Sequence, residues 1–290
     1  MTDPDQVPDE WTANDVESNG ARLRYYRSGG DGPPLVVAHG ITSSARAQLP
    51  LLRAFTESHD VIAYDARGHG RSDAPPAGYA VADQVADLVG LVESLSLANP
   101  ILYGHSIGGT TVAATAASQP DLPRAVVLED PALMLHAESN DGVDTDPRPH
   151  DEPDGNRGVD LGSIRTRIEG PLATTPSALV ESEPELRELV ADGREELARL
   201  LARAYLNVDE RVGAVLDAGQ PDPEAVFPDV AAPTLILKAD ADSDRCESDR
   251  ELASLLPDGR LVHVDGAGHC VRRDEYEAAV GAVRAFLDER

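Results

Sequence analysis

Five short runs of this chain are apolar at every position, and they constrain the fold more than any other feature. They are Leu35-Val36-Val37-Ala38, Val61-Ile62-Ala63-Tyr64, Ile101-Leu102-Tyr103, Ala125-Val126-Val127-Leu128 and Leu235-Ile236-Leu237. A strand with one wet face alternates apolar and polar residues. A strand without that alternation is covered on both sides. The stretches between the runs read as helices, from Ala47 to Phe55 and from Val81 to Leu95. The second carries Val85, Leu88, Val89, Val92 and Leu95 on one face. Arg260–Val264 reads as a last strand and Tyr276–Leu287 as a closing helix. Strands alternating with helices predict a parallel sheet of βαβ units, with helices on both faces.

Two regions depart from that rhythm. Near the start, Ala21–Arg27 alternates like an edge strand, and Asn19-Gly20 before it has the chemistry of a hairpin turn. Residues 1–13 are acidic and contain proline, which predicts a loose arm. After Pro131 the strand pattern stops. Residues 136–160 are rich in Asp and Pro without periodicity and predict a mobile loop. From Leu161 to about Ala225 only helical patterns occur. The longest is Glu185–Leu206, with Leu186, Leu189, Val190, Leu197, Leu200 and Leu201 on one face. The predicted organisation is an α/β core over 1–130 and 229–290, interrupted by an acidic loop and helical insertion over 131–228.

Charge narrows the function. Acidic residues number 52 against 25 basic, a formal net charge of -27. Such a chain lacks the basic face that nucleic acid or an anionic membrane surface requires. Lys238 is the sole lysine, so the other basic residues are arginines. Excess carboxylate with almost no lysine suits the surface of a protein from a salt-accumulating microbe. The first residues show no basic stretch followed by an apolar one, and no apolar run reaches bilayer-spanning length. A soluble, cytoplasmic protein is expected. Two cysteines, Cys246 and Cys270, are no disulfide framework for a chain of this length.

The chemistry concentrates at Gly104-His105-Ser106-Ile107-Gly108, between the Ile101 strand and a run of small residues that reads as a packed helix. Gly-x-Ser-x-Gly at a strand-to-helix turn is the setting for a nucleophilic serine. Gly104 and Gly108 relieve the crowding of so sharp a turn. The Ile107 N–H lies at a helix N-terminus, where it can face a developing oxyanion. His39-Gly40-Ile41 ends the first buried strand, and the Ile41 N–H can supply the second oxyanion donor. His39 itself reads as a structural hydrogen-bonder. His269, in Gly266-Ala267-Gly268-His269 after the last strand, is the candidate base. Asp242, after the strand ending at Lys238, is the first choice for the carboxylate that orients it. Asp240 and Asp130 compete for that role.

Taken together, these segments resemble the α/β-hydrolase superfamily in its form with a helical cap. The resemblance rests on His39-Gly40, Asp65-x-Arg67-Gly68-His69-Gly70-x-Ser72, the Ser106 elbow with Gly109, and Gly266-x-Gly268-His269. It spans nearly the whole chain apart from the N-terminal arm and the acidic loop. It implies a mostly parallel eight-stranded sheet flanked by helices, and a serine hydrolase of the esterase, lactonase or haloperoxidase-like type acting on a small acyl substrate. No metal or cofactor is implied. The resemblance also implies an internal Asp65–Arg67 pairing, with Arg67, His69 and His105 as scaffold. In the family the acid sits three residues after a Gly that ends the seventh strand. Here Ala239 replaces that Gly, and three residues on is Asp242. Some features of His39-Gly40-Ile41-Thr42-Ser43 and the cap look like small-amide and deformylase members. C–C bond cleavage, perhydrolysis and a ligand-binding sensor are the alternatives on the same fold. Arg165, Arg167 and Arg203 of the insertion are candidates to pair with a substrate carboxylate.

Overall fold

The structure, a computed structural model, describes residues 9, 11–135, 161–169 and 175–290. The acidic loop at 136–160 and most of the N-terminal arm lie outside the described residues. Of that arm, Trp11 is buried, and Thr12 and Ala13 already belong to the first strand, so the sheet begins earlier than expected.

Eight strands form one sheet in the order β1-β2-β4-β3-β5-β6-β7-β8. β1 (Thr12–Ser18) and β2 (Ala21–Arg27) pair as an antiparallel hairpin. Its turn residues Asn19 and Gly20 sit at φ 45° and 73°, the left-handed pair that a two-residue hairpin requires. β2 lies antiparallel on β4 (Asp60–Tyr64). From there β3 (Pro34–Ala38), β5 (Ile101–His105), β6 (Ala125–Glu129), β7 (Thr234–Lys238) and β8 (Gly259–His263) are all parallel.

The all-apolar runs are explained by burial on both faces. Val36, Ala38, Ile62, Leu102, Val126, Leu128 and Ile236 face a core shared with α2 (Val81–Ser94) and α3 (Ile107–Ser118). Their neighbours Leu35, Val37, Val61, Ala63, Tyr103, Val127 and Leu235 face a second core with α1 (Ala45–Leu52) and the closing helix. Each run therefore divides its residues between two cores at period two.

A short α4 (Ala132–Leu135) follows β6. The insertion holds α5 (Leu161–Glu169), α6 (Pro176–Ser182), α7 (Pro184–Ala191), α8 (Glu195–Leu206), α9 (Ala214–Asp217) and α10 (Pro223–Val226). The single helix expected over Glu185–Leu206 is two helices. Gly193 at φ 76° breaks it, because an α-helix cannot continue through a left-handed residue. Leu179, Leu186, Leu189, Leu197 and Leu201 then form a small core of their own, seated on Ala47 and Leu51 of α1. The chain ends with α11 (Ser243–Ala253), α12 (Val271–Asp274) and α13 (Tyr276–Leu287). No helix among the described residues is long and apolar enough to cross a membrane.

Candidate active site

Ser106 joins β5 to α3 at φ 55° and ψ -121°, a conformation L-residues avoid. The surrounding glycines are required by close backbone approach. A Cβ on Gly104 would run into the Gly108 carbonyl, and one on Gly108 would run into the carbonyls of Ala38 and His39. The strained turn is clamped from both sides. The Ser106 N–H donates to Glu129 O at 3.0 Å, and Ser106 O accepts from Thr110 and Ala132 N–H at 3.1 and 3.0 Å.

Ile107 is the first residue of α3, so its N–H has no partner within the helix. The His39 loop lies alongside, with Gly40 packed so close that a Cβ there would sit 3.4 Å from the Ser106 Cβ. His39 Nε2 accepts from the Ala66 N–H at 3.0 Å, so Nδ1 carries the proton and donates to Gly40 O at 2.8 Å. Ser43 N–H donates to the same carbonyl. Because a peptide unit is planar, pinning Gly40 O also pins the Ile41 N–H. Ile41 O is held in turn by His69 Nε2 at 2.7 Å. Burial, with His69 nearby, pushes His39 down to about 3, so it stays neutral as this pairing demands.

His269 follows β8 on a loop tied to the elbow. His105 Nε2 donates to the His269 carbonyl at 3.0 Å, and the two rings lie 4.8 Å apart. His269 Nδ1 meets Asp130 Oδ2 at 2.6 Å. The carboxylate accepts there, which leaves Nε2 as the unprotonated nitrogen. Asp130 is the residue after β6. It is buried at φ 38°, and its own N–H donates to Leu237 O at 2.7 Å. Burial alone would push its carboxyl up. The Lys238 ammonium, 2.7 Å from Oδ1, and His269 outweigh burial and hold it well below the usual carboxylate range.

Asp242, the first choice from sequence, is not the partner of His269. It is the exposed N-cap of α11, and its Oδ1 accepts from the Arg245 N–H at 2.9 Å. Asp240 is not the partner either. It braces the loop below, accepting from the Gly266 N–H at 3.0 Å. Asp130, the alternative from the end of the preceding strand, occupies the position.

The model of the alpha/beta hydrolase family matches residues 35–282. The chain belongs to the alpha/beta hydrolase family. Among its relatives is a 2-(acetamidomethylene)succinate hydrolase of Mesorhizobium japonicum, 30% identical over 269 residues, 90% of each chain. A solved structure of E-2-(acetamidomethylene)succinate hydrolase superposes with a TM-score of 0.72 at 25% identity, covering 96% of this chain and 99% of the other. An N-formylmaleamic acid deformylase from Pseudomonas putida S16 has the same fold, with a TM-score of 0.71 at 22% identity over 94% of this chain and all of that one.

Other residues of this hydrolase are placed differently from the sequence reading. Asp65 does not pair with Arg67. Its oxygens accept from the N–H groups of Ala45 and Arg71 at 2.8 and 3.0 Å, while Arg67 forms a buried pair with Asp87 at 2.5 Å. Arg165 pairs with Asp217 at 2.6 Å, and Arg167 with Glu183 at 3.0 Å and across the Tyr205 ring. Both have protein carboxylates for partners, and Arg203 too has a partner within the protein. A second buried network was not foreseen. Glu129 accepts from the Arg272 N–H at 2.8 Å, from Arg272 Nε at 2.9 Å and from Tyr103 OH at 2.9 Å. Arg272 reaches on to Gln48 at 2.8 Å. This anchors the strand ends to the loop three residues after His269. A readable signal was the charged pair Glu129-Asp130 closing an apolar run, since buried carboxylates demand cations.

Proposed function

We propose that this hydrolase works through a Ser106–His269–Asp130 triad and a covalent acyl-enzyme. The observation that carries the proposal is the 2.6 Å His269–Asp130 bond on a loop tied to a strained Ser106 elbow. His269 Nε2 takes the Ser106 hydroxyl proton as Oγ bonds to the substrate carbonyl carbon. The oxyanion is met by the N–H groups of Ile41 and Ile107. His269 then gives the proton to the leaving group, and water reverses the sequence to free the acid.

The insertion serves as a cap. Ile168, Val212 and Val215 of the insertion share one apolar cluster with Ile41, Ile107 and Tyr79, which supports that reading. The substrate is a small acyl compound, an ester, lactone or amide. The 30% identity to a 2-(acetamidomethylene)succinate hydrolase favours the amide reading. The test is a panel of activated esters, lactones and amides, 2-(acetamidomethylene)succinate among them, on wild type and Ser106→Ala. Turnover with a single phosphonate adduct on Ser106, abolished in the variant, is expected. Full activity in Ser106→Ala overturns the mechanism. Shortening Val212 to Ala should shift the acyl-length profile.

The protein is also salt-adapted and cytoplasmic in this reading. The net charge is -27, and the sole lysine is buried at 2% exposure, so no ammonium side chain offsets the surface carboxylates. At ~0.1 M salt the Debye length is ~10 Å, and at ~1 M it is ~3 Å. Tm should climb from low to molar KCl. A flat profile excludes the adaptation.

A further inference from the structure

Lys238 is an exception twice over. It is the sole lysine in a chain whose other basic residues are arginines, and it is almost fully buried, at 2% exposure. Burying an ammonium is expensive unless carboxylates surround it. Two do. Asp130 Oδ1 lies 2.7 Å from Nζ, and Asp249 Oδ1, reaching in from α11, lies 3.6 Å away. Behind Asp249, its other oxygen meets His263 Nε2 at 2.9 Å, and His263 is the β8 residue paired in register with Lys238. The array runs His269–Asp130–Lys238–Asp249–His263 across the C-terminal ends of β6, β7 and β8. An ammonium is a compact point charge, smaller than the planar guanidinium used elsewhere in this chain.

We infer that Lys238 is a positioning residue for the proposed triad. Its ammonium holds Asp130 Oδ1 so that Oδ2 faces His269, and its charge, balanced by Asp249, tempers the field that Asp130 exerts on the imidazole. The inference rests on the reading of Asp130 as the triad carboxylate. An imidazolium is stabilised by the adjacent Asp130 charge. Lys238, 2.7 Å from the other carboxylate oxygen, offsets part of that charge. Asp249 works in the opposite sense by neutralising Lys238. Among the described residues, the Cys270 thiol beside His269 is pushed up by burial and stays neutral, and the charged or polar groups named next have partners of their own. Glu129 is turned to Arg272, Asp240 to the Gly266 N–H, and the His105 ring, which packs on His269, to the His269 carbonyl.

The test reads His269 directly and needs no substrate. In histidine-labelled protein at fixed KCl, the His269 Cε1–H resonance, assigned through His269→Gln, is titrated in wild type, Lys238→Met and Asp249→Asn. Lys238→Met should raise the midpoint by about one to two pH units, and Asp249→Asn should lower it by a smaller amount. Shifts of opposite sign from one buried cluster cannot come from general loosening. If Lys238→Met fails to fold, the downward shift in Asp249→Asn decides. Midpoints equal to wild type in the folded variants overturn the inference and leave Lys238 a packing residue. Asp130→Asn separates the two levels. A His269 titration there identical to wild type overturns the reading of Asp130 itself, whatever Lys238 does.

Discussion

The ends of β6 and β7 lie side by side, and each runs into aspartate, yet the two do different work. Asp130 follows β6 directly. It is buried, held at a left-handed φ and pressed between Lys238 and His269. Asp242 lies four residues past β7, in solvent, where it caps α11. Both fall between Ser106 and His269 in chain order, so order alone cannot choose between them. What separates them is the cation. Lys238 sits one residue beyond the Glu129–Leu237 pairing of the parallel ladder, directly beside Asp130. A lysine closing the run Leu235-Ile236-Leu237 is a buried cation, and such a cation has to find a carboxylate at the neighbouring strand end.

The sharpest way to break this comparison is to neutralise each aspartate in turn. Asp130→Asn should lower kcat by roughly 10⁴, since the imidazole loses its tautomer and its countercharge. Asp242→Asn should leave kcat within about twofold, because nothing at the site touches it. Steady-state rates on the best substrate of the panel check both. The reverse pattern would return the acid to the end of β7.

The residue before Asp130 supplies the next test. Glu129 is turned away from Asp130 and His269 to a partner of its own, Arg272. Burial alone would raise its carboxyl, but the Arg272 guanidinium, aided by His105, holds it below its ordinary value. Arg272→Met leaves that carboxylate without its cation and should cost about 3–5 kcal/mol. Urea unfolding at constant KCl measures it. A loss under about 1 kcal/mol would mean that the network is replaceable by packing.

A third strand end sharpens the contrast further. Asp65, after β4, is as buried as Asp130 but is met by backbone N–H groups rather than a lysine. Burial pushes it up to about 6 despite those hydrogen bonds. Its folded value exceeds its unfolded one, so its contribution to stability is complete below the unfolded value and is lost as pH rises through about 6. Asp130 has the opposite sign. Its contribution is present above the unfolded value and lost in more acidic solution. The stability difference between wild type and Asp65→Asn should therefore shrink by roughly 2–3 kcal/mol between about pH 4 and pH 7. A difference that stays constant over that window would show that Asp65 does not titrate there.

These elements also mark what the sequence made legible. Period and turn chemistry carried the strands from β2 onward, the Asn19-Gly20 turn and the turn at Ser106, because each depends on residues adjacent in the chain; β1, whose Thr12 and Ala13 were read as part of a loose arm, was missed. The helix break at Gly193 was hidden by an apolar stripe that continues from Leu189 to Leu197 on both sides of it. The partner of His269 was hidden for another reason. In a chain with 52 acidic residues an aspartate carries little information, and the distinction between Asp130, Asp240 and Asp242 is one of burial. The Asp65–Arg67 pairing came with the family resemblance, and nothing in the local sequence pointed to Asp87 on α2, the partner that Arg67 has.

The smallest expected effect concerns Asp242 itself. At φ -66° and ψ 174° it is extended, as an N-cap must be, and its Oδ1 accepts the N–H of Arg245 three residues on. Removing that acceptor in Asp242→Ala should cost about 1 kcal/mol, while Asp242→Asn, which keeps an oxygen in place, should cost only a few tenths. α11 also carries Asp249, two turns in, on the far side of Lys238. Fraying confined to the first turn would leave that carboxylate in place, so kcat in Asp242→Ala should match wild type even as Tm falls. Thermal melts and rates on the same preparation distinguish the two effects. A loss of kcat beyond about tenfold without a matching loss of Tm would show that Asp242 acts on the chemistry, and the division of labour between the two strand ends would have to be redrawn.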